Sequence, residues 1–323
     1  MLHRIGNTPL FHSEFLSQLA GCSVYIKADY LNPGMSSKDR PALYMIQCAE
    51  KDGLLHPGDT VVEASSGNTA IGLAMLCKSR GYKSHFFISK KCSEEKREIL
   101  RLYDAELTEC PSSGDMNDPD STLGRAAAYV RNTPGTFFCN QYFNDANSLA
   151  HMETTGPEVW KQTRGEVTHF IAGLGTGGTI TGTGRYLKSM REEVQIIGVE
   201  PVGSVLQEYY RSGVPGSPGP YQIEGIGRSF LPGNLDVAYV SDIWQIHDHQ
   251  AVEAAYWLKD KTGFLAGFSS AAVTGSFLQR KDTFAPTDHV VLFFADHGSR
   301  YLSKLYNKEW LKANIKPHGE VYA

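Results

Sequence analysis

Short, strongly apolar segments alternate along the chain with longer segments in which apolar residues recur at helical spacing. Short apolar runs are typical of buried strands, and a recurrence every three to four residues is typical of helices. The predicted pairs of strand and following helix are Val24–Tyr30 with Pro41–Cys48, Thr60–Glu63 with Thr69–Lys78, His85–Ser89 with Ser93–Tyr103, Thr136–Gln141 with Asn147–Gln162, His169–Ala172 with Gly178–Met190, and His289–Phe294 with Arg300–Tyr306. Val194–Glu200 is a further predicted strand. This alternation predicts an α/β fold in which helices cover parallel sheets and ligands bind at the carboxyl ends of the strands.

Length and charge narrow the possible functions. The chain has 323 residues, and a single hydrophobic core usually stops growing near roughly 250 residues, so we expect two lobes around a cleft. Thirty-one basic and 35 acidic residues give a net charge of −4 without long runs of one sign, so neither nucleic acid nor a membrane surface is an expected partner. The longest strongly apolar run, Val290–Ala295, is too short to span a membrane, and we expect a cytoplasmic protein. The cysteines form no CxxC pair, and we expect no bound metal.

A glycine-rich segment, Gly173–Gly178, lies between a predicted strand and a predicted helix. Backbone N–H groups at such a junction can hold a phosphate. The segment matches G-x-G-x-x-G, and Glu200 ends the next strand, so the loop taken alone favours a dinucleotide-binding dehydrogenase. The hydroxyls of Thr176 and Thr179 favour a terminal phosphate dianion instead, because they add donors that a pyrophosphate loop does not need.

Lys38 lies at the start of a predicted helix, with Ser37 as the predicted N-cap. The helix dipole opposes a positive charge there and lowers the lysine pKa, which makes the amine a better nucleophile toward a carbonyl. An ordinary solvated lysine is the alternative when Lys38 is considered alone. The segment Ser65–Thr69 forms another loop between strand and helix, and its hydroxyls suit a carboxylate, although the same residues could simply cap the helix.

Seven segments, in order along the chain, resemble the fold type II pyridoxal phosphate enzymes, and in particular the cysteine synthase and cystathionine β-synthase group. They are Ile5–Leu10, Asn32–Ala42, Glu63–Ala74, Asn140–Asn147, Gly173–Lys188, Glu224–Phe230 and Ala266–Ala271. The resemblance implies a tryptophan synthase β-like fold: two open, mostly parallel, twisted sheets covered by helices, with the active site in the cleft between two lobes. Residues 42–146 would form a smaller, mobile lobe for the substrate carboxylate, and residues 1–41 with 147–323 a larger lobe for the cofactor phosphate.

The resemblance also implies a role for individual residues. Lys38 would bind the aldehyde of pyridoxal 5'-phosphate and move the substrate's α proton, Asn68 would contact the ring hydroxyl, and Ser269 would face the pyridine nitrogen. A hydroxyl beside that nitrogen leaves it unprotonated, which suits elimination chemistry. The residues that would hold the cofactor phosphate are Gly175, Thr176, Gly177, Gly178 and Thr179. Those that would bind the substrate carboxylate are Ser65, Ser66, Thr69 and Gln141.

The implied reaction is β-replacement: serine or O-acetylserine loses its β substituent, and a thiol adds to the resulting aminoacrylate. Glu224 and Tyr142 resemble the residues of cystathionine β-synthases. These two residues lead us to expect cystathionine as the product. Arg228, which follows Gly225 closely, is a separate prediction from its residue type: its planar fork would bind the carboxylate of an amino acid nucleophile such as homocysteine, and a surface arginine paired with a nearby acid is the alternative. A cysteine synthase that uses sulfide, and an enzyme that adds an amino acid nitrogen, are alternatives of the same kind. Such relatives are usually homodimers.

Two other classes of protein compete with this interpretation. The interpretation as an NAD-dependent dehydrogenase depends on the glycine loop alone. The interpretation as a non-catalytic binding protein would hold if Lys38 did not react.

Overall fold

The computed structural model describes residues 2–90, 92–111 and 118–315, and it contains two separate sheets. The strands are β1 Leu10–His12, β2 Ser23–Ala28, β3 Thr60–Glu63, β4 Lys83–Ser89, β5 Glu106–Cys110, β6 Thr136–Phe138, β7 His169–Gly173, β8 Gln195–Pro201, β9 Asp242–Ile246 and β10 His289–Phe294. One sheet has the order β1-β2-β10-β7-β8-β9, and the other has the order β5-β4-β3-β6. Only β1 runs antiparallel to its neighbour in these described sheets. The predicted α/β class with two mostly parallel sheets is therefore confirmed.

Helices cover both sheets. They are α1 Glu14–Ala20, α2 Asp39–Lys51, α3 Asn68–Arg80, α4 Glu94–Leu102, α5 Thr122–Asn132, α6 Ala146–Ala150, α7 Gly156–Gln162, α8 Gly178–Met190, α9 Leu206–Ser212, α10 Asp248–Thr262, α11 Phe268–Leu278 and α12 Lys308–Asn314. A π-helical turn, His151–Thr155, joins α6 to α7, so the helix predicted over this region is interrupted in its hydrogen bonding. The helix predicted over Arg300–Tyr306 is wrong: a 3-10 turn ends at Tyr301, and further turns follow it.

Helix α11 is the main element that the pattern of apolar residues did not predict. Nearly all of its side chains are buried, and small, hydroxyl and apolar residues alternate without a polar face. Because a helix buried on all sides has no exposed stripe, it shows no amphipathic period. The strands β1, β5 and β9 and the helices α1, α5, α9, α10 and α12 were also not predicted.

The two sheets divide the chain into two parts with separate hydrophobic cores. All strands of the four-stranded sheet lie within residues 42–146, and all strands of the six-stranded sheet lie outside that range. The first core includes Phe86 and Leu73, and the cores of the second part include Phe170 and Phe268. The mobility of the smaller lobe stays a prediction.

In the described part of the chain, no helix combines the length and apolar character needed to cross a membrane.

Candidate active site in the cleft between the sheets

A cavity of about 410 Å³ lies where the carboxyl ends of β3, β7 and β10 meet between the two sheets. The predicted site residues that line it are Lys38, Ser65, Ser66, Asn68, Thr69, Gln141, Tyr142, Gly175, Thr176, Gly177, Thr179, Glu224, Gly225, Arg228 and Ser269. Gly178 lies behind this wall, where a Cβ atom would stand 2.1 Å from Asn147 Oδ1. The fold thus gathers residues from segments spread over more than 200 positions into one cavity, as expected at the carboxyl ends of parallel strands.

Lys38 occupies the N-cap position of α2, which begins at Asp39, so the predicted cap Ser37 is wrong by one residue. The Nζ atom lies 3.5 Å from Ser37 Oγ. Burial lowers the pKa of Lys38 below its ordinary value, the Asp296 carboxylate opposes this shift, and the Arg228 guanidinium reinforces it. The direction agrees with the sequence-based expectation, but desolvation rather than the helix dipole is its main cause. An amine that loses its proton readily can attack an aldehyde.

The loop Gly175–Thr179, which we call the phosphate loop, connects β7 to α8 and needs glycine for two reasons. Gly177 has a φ of +86°, and a Cβ on it would lie 2.6 Å from the backbone nitrogen of Leu235. A Cβ on Gly175 would lie 2.6 Å from the carbonyl oxygen of Gly225. The N–H groups of residues 175–177 have no acceptor within the described residues, and they lie at the start of a 13-residue helix. Such a cradle fits a phosphate dianion.

Asn147 and His151 support the two threonines of the phosphate loop from behind. Asn147 Nδ2 donates to Thr176 Oγ1 at 3.2 Å, and it also donates to the carbonyl oxygen of Gln141. His151 Nε2 lies 3.1 Å from Thr179 Oγ1. Neither Asn147 nor His151 was singled out as a site residue from the sequence, since neither lies in the glycine loop itself.

The loop Ser65–Thr69, which we call the substrate loop, connects β3 to α3. Gly67 occupies the cap position of α3 and no side chain caps the helix, so the interpretation of these residues as simple caps is not supported. Ser66 Oγ accepts from the N–H of Ser89 at 2.7 Å, and Thr69 Oγ1 donates to Gln141 Oε1 at 2.6 Å. An open helix N-terminus with adjacent hydroxyls suits a carboxylate.

Asp296 is a buried carboxylate in the cavity wall that the sequence analysis missed. Its Oδ2 atom accepts from Asn68 Nδ2 at 2.7 Å and from the hydroxyl of Tyr301 at 2.6 Å. The contact with Asn68 joins the two sheets across the cleft. The available signal was its position two residues after the buried strand β10, at the end where ligands bind.

Ser89, Thr122 and Tyr221 also line the cavity without having been predicted. Ser269 lies nearby, as the second residue of α11.

Glu224 and Arg228 both line the cavity and have different surroundings. The carboxylate of Glu224 pairs with Lys96 of α4 at 2.6 Å and also with Lys304. The guanidinium of Arg228 lies over the ring of Tyr142, 4.9 Å from its centroid. Within the described residues no carboxylate pairs with Arg228, so it is not the acid-paired surface arginine that its residue type alone would suggest.

The surroundings of Glu200 do not support the interpretation of the glycine loop as a dinucleotide site. It is fully buried, and its carboxylate accepts from the N–H groups of Leu206 and Gln207 and from Gln245 Nε2. This carboxylate therefore holds the start of α9 and is not available to a ribose. In contrast, the amine of Lys38, the phosphate cradle and the hydroxyls of the cavity fit pyridoxal phosphate.

Comparison with known proteins agrees with this fit. The family described as pyridoxal-phosphate dependent enzyme matches residues 1–296. The chain is 39% identical to cysteine synthase 1 of Neurospora crassa over 313 residues, which cover 95% of this chain and 83% of that protein. It is 37% identical to cystathionine beta-synthase of Apis mellifera over 314 residues, which cover 97% of this chain but 62% of that longer protein.

A solved structure, that of O-ureido-L-serine synthase, superimposes with a TM-score of 0.86 at 32% identity and covers 99% of this chain and 96% of its own. A family match over most of the chain and relatives of this similarity place it among enzymes that use pyridoxal phosphate, and not among dehydrogenases. The chain belongs to the pyridoxal-phosphate dependent enzyme family, within the group of β-replacement synthases that includes cysteine synthases and cystathionine β-synthases.

Proposed function

We propose that this enzyme replaces the β substituent of serine or O-acetylserine with the thiol of homocysteine and so forms cystathionine. The observation that carries the proposal is the guanidinium of Arg228, which lines the cavity without a carboxylate partner in the described structure. A planar guanidinium binds a carboxylate with two parallel hydrogen bonds. Homocysteine brings a carboxylate to the cavity when it attacks, and sulfide does not.

Tyr142 holds Arg228 in a defined orientation. Its ring lies under the guanidinium, and Arg228 Nη1 donates to the carbonyl oxygen of Gly227 at 2.7 Å. The Nε atom of Arg228 is buried without a hydrogen-bond partner. A cation is attracted to the face of an aromatic ring, which restricts the positions that the guanidinium can take. This arrangement supports a fixed binding position for an incoming amino acid.

The remaining residues of the cavity would bind the cofactor and the first substrate. The bound cofactor supplies an electron sink for the bond changes at the substrate's α and β carbons. Lys38 would hold the cofactor and carry the α proton, because its amine has a lowered pKa inside the cavity. Ser65, Ser66 and Thr69, together with Gln141, would bind the substrate's carboxylate at the start of α3. Asn68 and Ser269 would contact the ring hydroxyl and the ring nitrogen.

Product analysis tests the proposal. The purified enzyme receives serine or O-acetylserine together with either sulfide or homocysteine, and cysteine and cystathionine are quantified. Arg228→Ala should raise the KM for homocysteine about tenfold or more, the scale of a lost charge-assisted contact, and leave the sulfide reaction unchanged. Arg228→Lys should not restore the KM, because an ammonium cannot make the bidentate contact.

Equal effects of Arg228→Ala on both nucleophiles would contradict the choice of cystathionine and favour a cysteine synthase. Lys38→Ala serves as the control for the whole interpretation. It should remain folded, lose the covalent attachment of the cofactor, and lose turnover by several orders of magnitude.

A homodimer and a cytoplasmic location stay predictions. Sedimentation of the native protein tests the first, and cell fractionation tests the second.

A further inference from the structure

We propose that His151 is a positioning residue, which donates a hydrogen bond from Nε2 to Thr179 and thereby directs the hydroxyl proton of Thr179 toward the cofactor phosphate. The inference rests on the proposed role of the phosphate loop and extends it to residues behind that loop. His151 and its partner Thr155 lie outside the seven segments that indicated the family.

His151 is fully buried at the start of the π-helical turn, between the phosphate-loop helix α8 and strand β10. Its Nε2 atom lies 3.1 Å from Thr179 Oγ1, and its Nδ1 atom lies 2.9 Å from Thr155 Oγ1. Phe293 contacts the imidazole edge to face, with the ring centroids 6.3 Å apart. Gly182 allows the close approach, because a Cβ there would stand 2.0 Å from the carbonyl oxygen of Ser148. The imidazole is therefore held at both nitrogens and on its face.

The imidazole carries a single proton at neutral pH. Burial lowers the pKa of His151 to about 3, and the positive charges of Arg40 and Lys38 act in the same direction, while Asp29 opposes them. A neutral imidazole has one nitrogen that donates and one that accepts. The two hydroxyl partners decide which nitrogen carries the proton.

Thr155 decides the tautomer. Its side chain is fully buried, and within the described residues its hydroxyl contacts only Nδ1 of His151. A buried hydroxyl proton needs an acceptor, and the sole one within its reach is an unprotonated Nδ1. The ring proton then lies on Nε2, which donates to Thr179 Oγ1. Because this bond uses an oxygen lone pair, the proton of Thr179 stays free to donate to the phosphate.

The opposite tautomer would have the opposite effect. An unprotonated Nε2 would accept the Thr179 proton and turn it away from the phosphate loop, and Thr155 would lose its acceptor. A π-helical turn inside a helix is frequently found at functional sites. Here the imidazole of His151 lies between Thr155, four positions later in the same turn, and Thr179 of α8.

The experiment compares two neighbouring threonines. Thr155→Val removes the hydroxyl that donates to Nδ1 and keeps the shape of the side chain. Thr154→Val is the matched control, because Thr154 lies in the same π-helical turn and its hydroxyl donates to the carbonyl oxygen of Ala150 instead. Apoprotein is prepared from each variant, and the affinity for pyridoxal phosphate, the ³¹P resonance of the bound phosphate and the ¹⁵N resonances of the imidazole are measured.

We expect the ¹⁵N spectrum of the parent holoenzyme to show the Nε2–H tautomer of His151. Thr155→Val should weaken cofactor binding by about threefold to tenfold and shift the ³¹P resonance, while Thr154→Val should match the parent. His151→Leu should weaken binding at least as much, and His151→Gln should recover part of the affinity because its amide can donate from a similar position. An Nδ1–H tautomer, or equal behaviour of the two threonine variants, would overturn the inference.

Thr179→Val separates this inference from the proposed phosphate site. If Thr179→Val leaves the cofactor affinity and the ³¹P resonance unchanged, the assignment of Thr179 to the phosphate is wrong. If Thr179→Val weakens binding and Thr155→Val does not, the phosphate site holds and only the role of His151 fails. The ¹⁵N measurement on the parent enzyme remains decisive even where His151→Leu does not fold.

Discussion

The phosphate loop and the substrate loop have the same local structure but different surroundings. Each follows a parallel strand, β7 or β3, and each leads into a helix of 13 residues. All residues of the phosphate loop, Gly175–Thr179, are buried, whereas Ser65–Asn68 of the substrate loop are only partly buried. The sequence pattern of strand, small polar loop and helix therefore predicts an anion site in both places but not how firmly the protein holds it.

Close backbone contacts explain the difference. A Cβ at Gly177 would meet the backbone of Leu235 at 2.6 Å, whereas a Cβ at Gly67 would meet no atom within 4 Å among the described residues. Among the described residues, one side-chain hydrogen bond joins the substrate loop to the larger part of the chain, from Asn68 to Asp296. A permanently bound cofactor gains from a rigid, preorganised site, and a substrate that must enter and leave needs a loop with fewer constraints.

A side chain introduced at Gly177 should have a much larger effect than one introduced at Gly67. Gly177→Ala forces a side chain into a left-handed backbone and against Leu235, so it should cost several kcal/mol of unfolding free energy and abolish cofactor binding. Gly67→Ala is the matched control. It should change the unfolding free energy by less than about 1 kcal/mol and leave cofactor affinity intact. Chemical denaturation and cofactor titration measure both; similar losses in the two variants would refute the contrast.

Asp39 offers a test that touches neither loop directly. It lies against Gly72 of α3, accepts from the N–H of Gly34, and burial raises its pKa to about 7. The native state binds the proton more tightly than the unfolded chain, so this group's contribution is full below about pH 4 and is lost as the pH rises to about 7.

Asp39→Asn should remove this pH dependence, which amounts to at most roughly 4 kcal/mol. The measurement is the unfolding free energy of the apoprotein between pH 4 and 8, for the parent and the variant. Parallel curves for the two proteins would show that Asp39 does not titrate in this range.

Thr69→Val tests the role of the substrate loop. The variant removes the hydroxyl that donates to Gln141 Oε1 and lines the cavity. We expect the KM for the first substrate to rise about tenfold with cofactor affinity unchanged, because the phosphate loop lies on the other sheet. Thr179→Val should show the reverse pattern. A loss of cofactor affinity in Thr69→Val would mean that the two loops are coupled.

The smallest expected effect concerns the ion pair that joins the two parts of the chain beside the cavity. Lys96 of α4 pairs with Glu224, and it lies 5.2 Å from the ring centroid of Tyr301. Lys96→Gln should weaken the link between the two parts of the chain and raise the KM for the first substrate about threefold, without loss of cofactor. Lys312→Gln, which breaks the exposed pair with Glu309, is the control and should have no effect on KM. Equal KM values for the two variants would show that the pair of Lys96 and Glu224 does not influence substrate binding.

The α/β class could be predicted from the sequence alone, which also indicated two loops for anions and a lysine for covalent chemistry, whose roles stay predictions. Each of these depends on residues close together in the chain: an apolar strand, small residues at a turn, and apolar residues at helical spacing. Lys38 and the threonines of the phosphate loop could be recognised because they belong to such local segments. The buried helix α11 could not, since it lacks the polar face that gives an amphipathic pattern.

Which distant residues meet at the site depends on the tertiary structure. Glu224 pairs with Lys96 across 128 positions, Asn68 contacts Asp296 across 228, and His151 contacts Thr179 across 28. No local pattern encodes these pairs, because topology decides which strand ends and helix faces meet. The lowered pKa of Lys38 shows the same limit: its direction followed from the sequence, but its main cause is burial between the two sheets, which requires the folded chain.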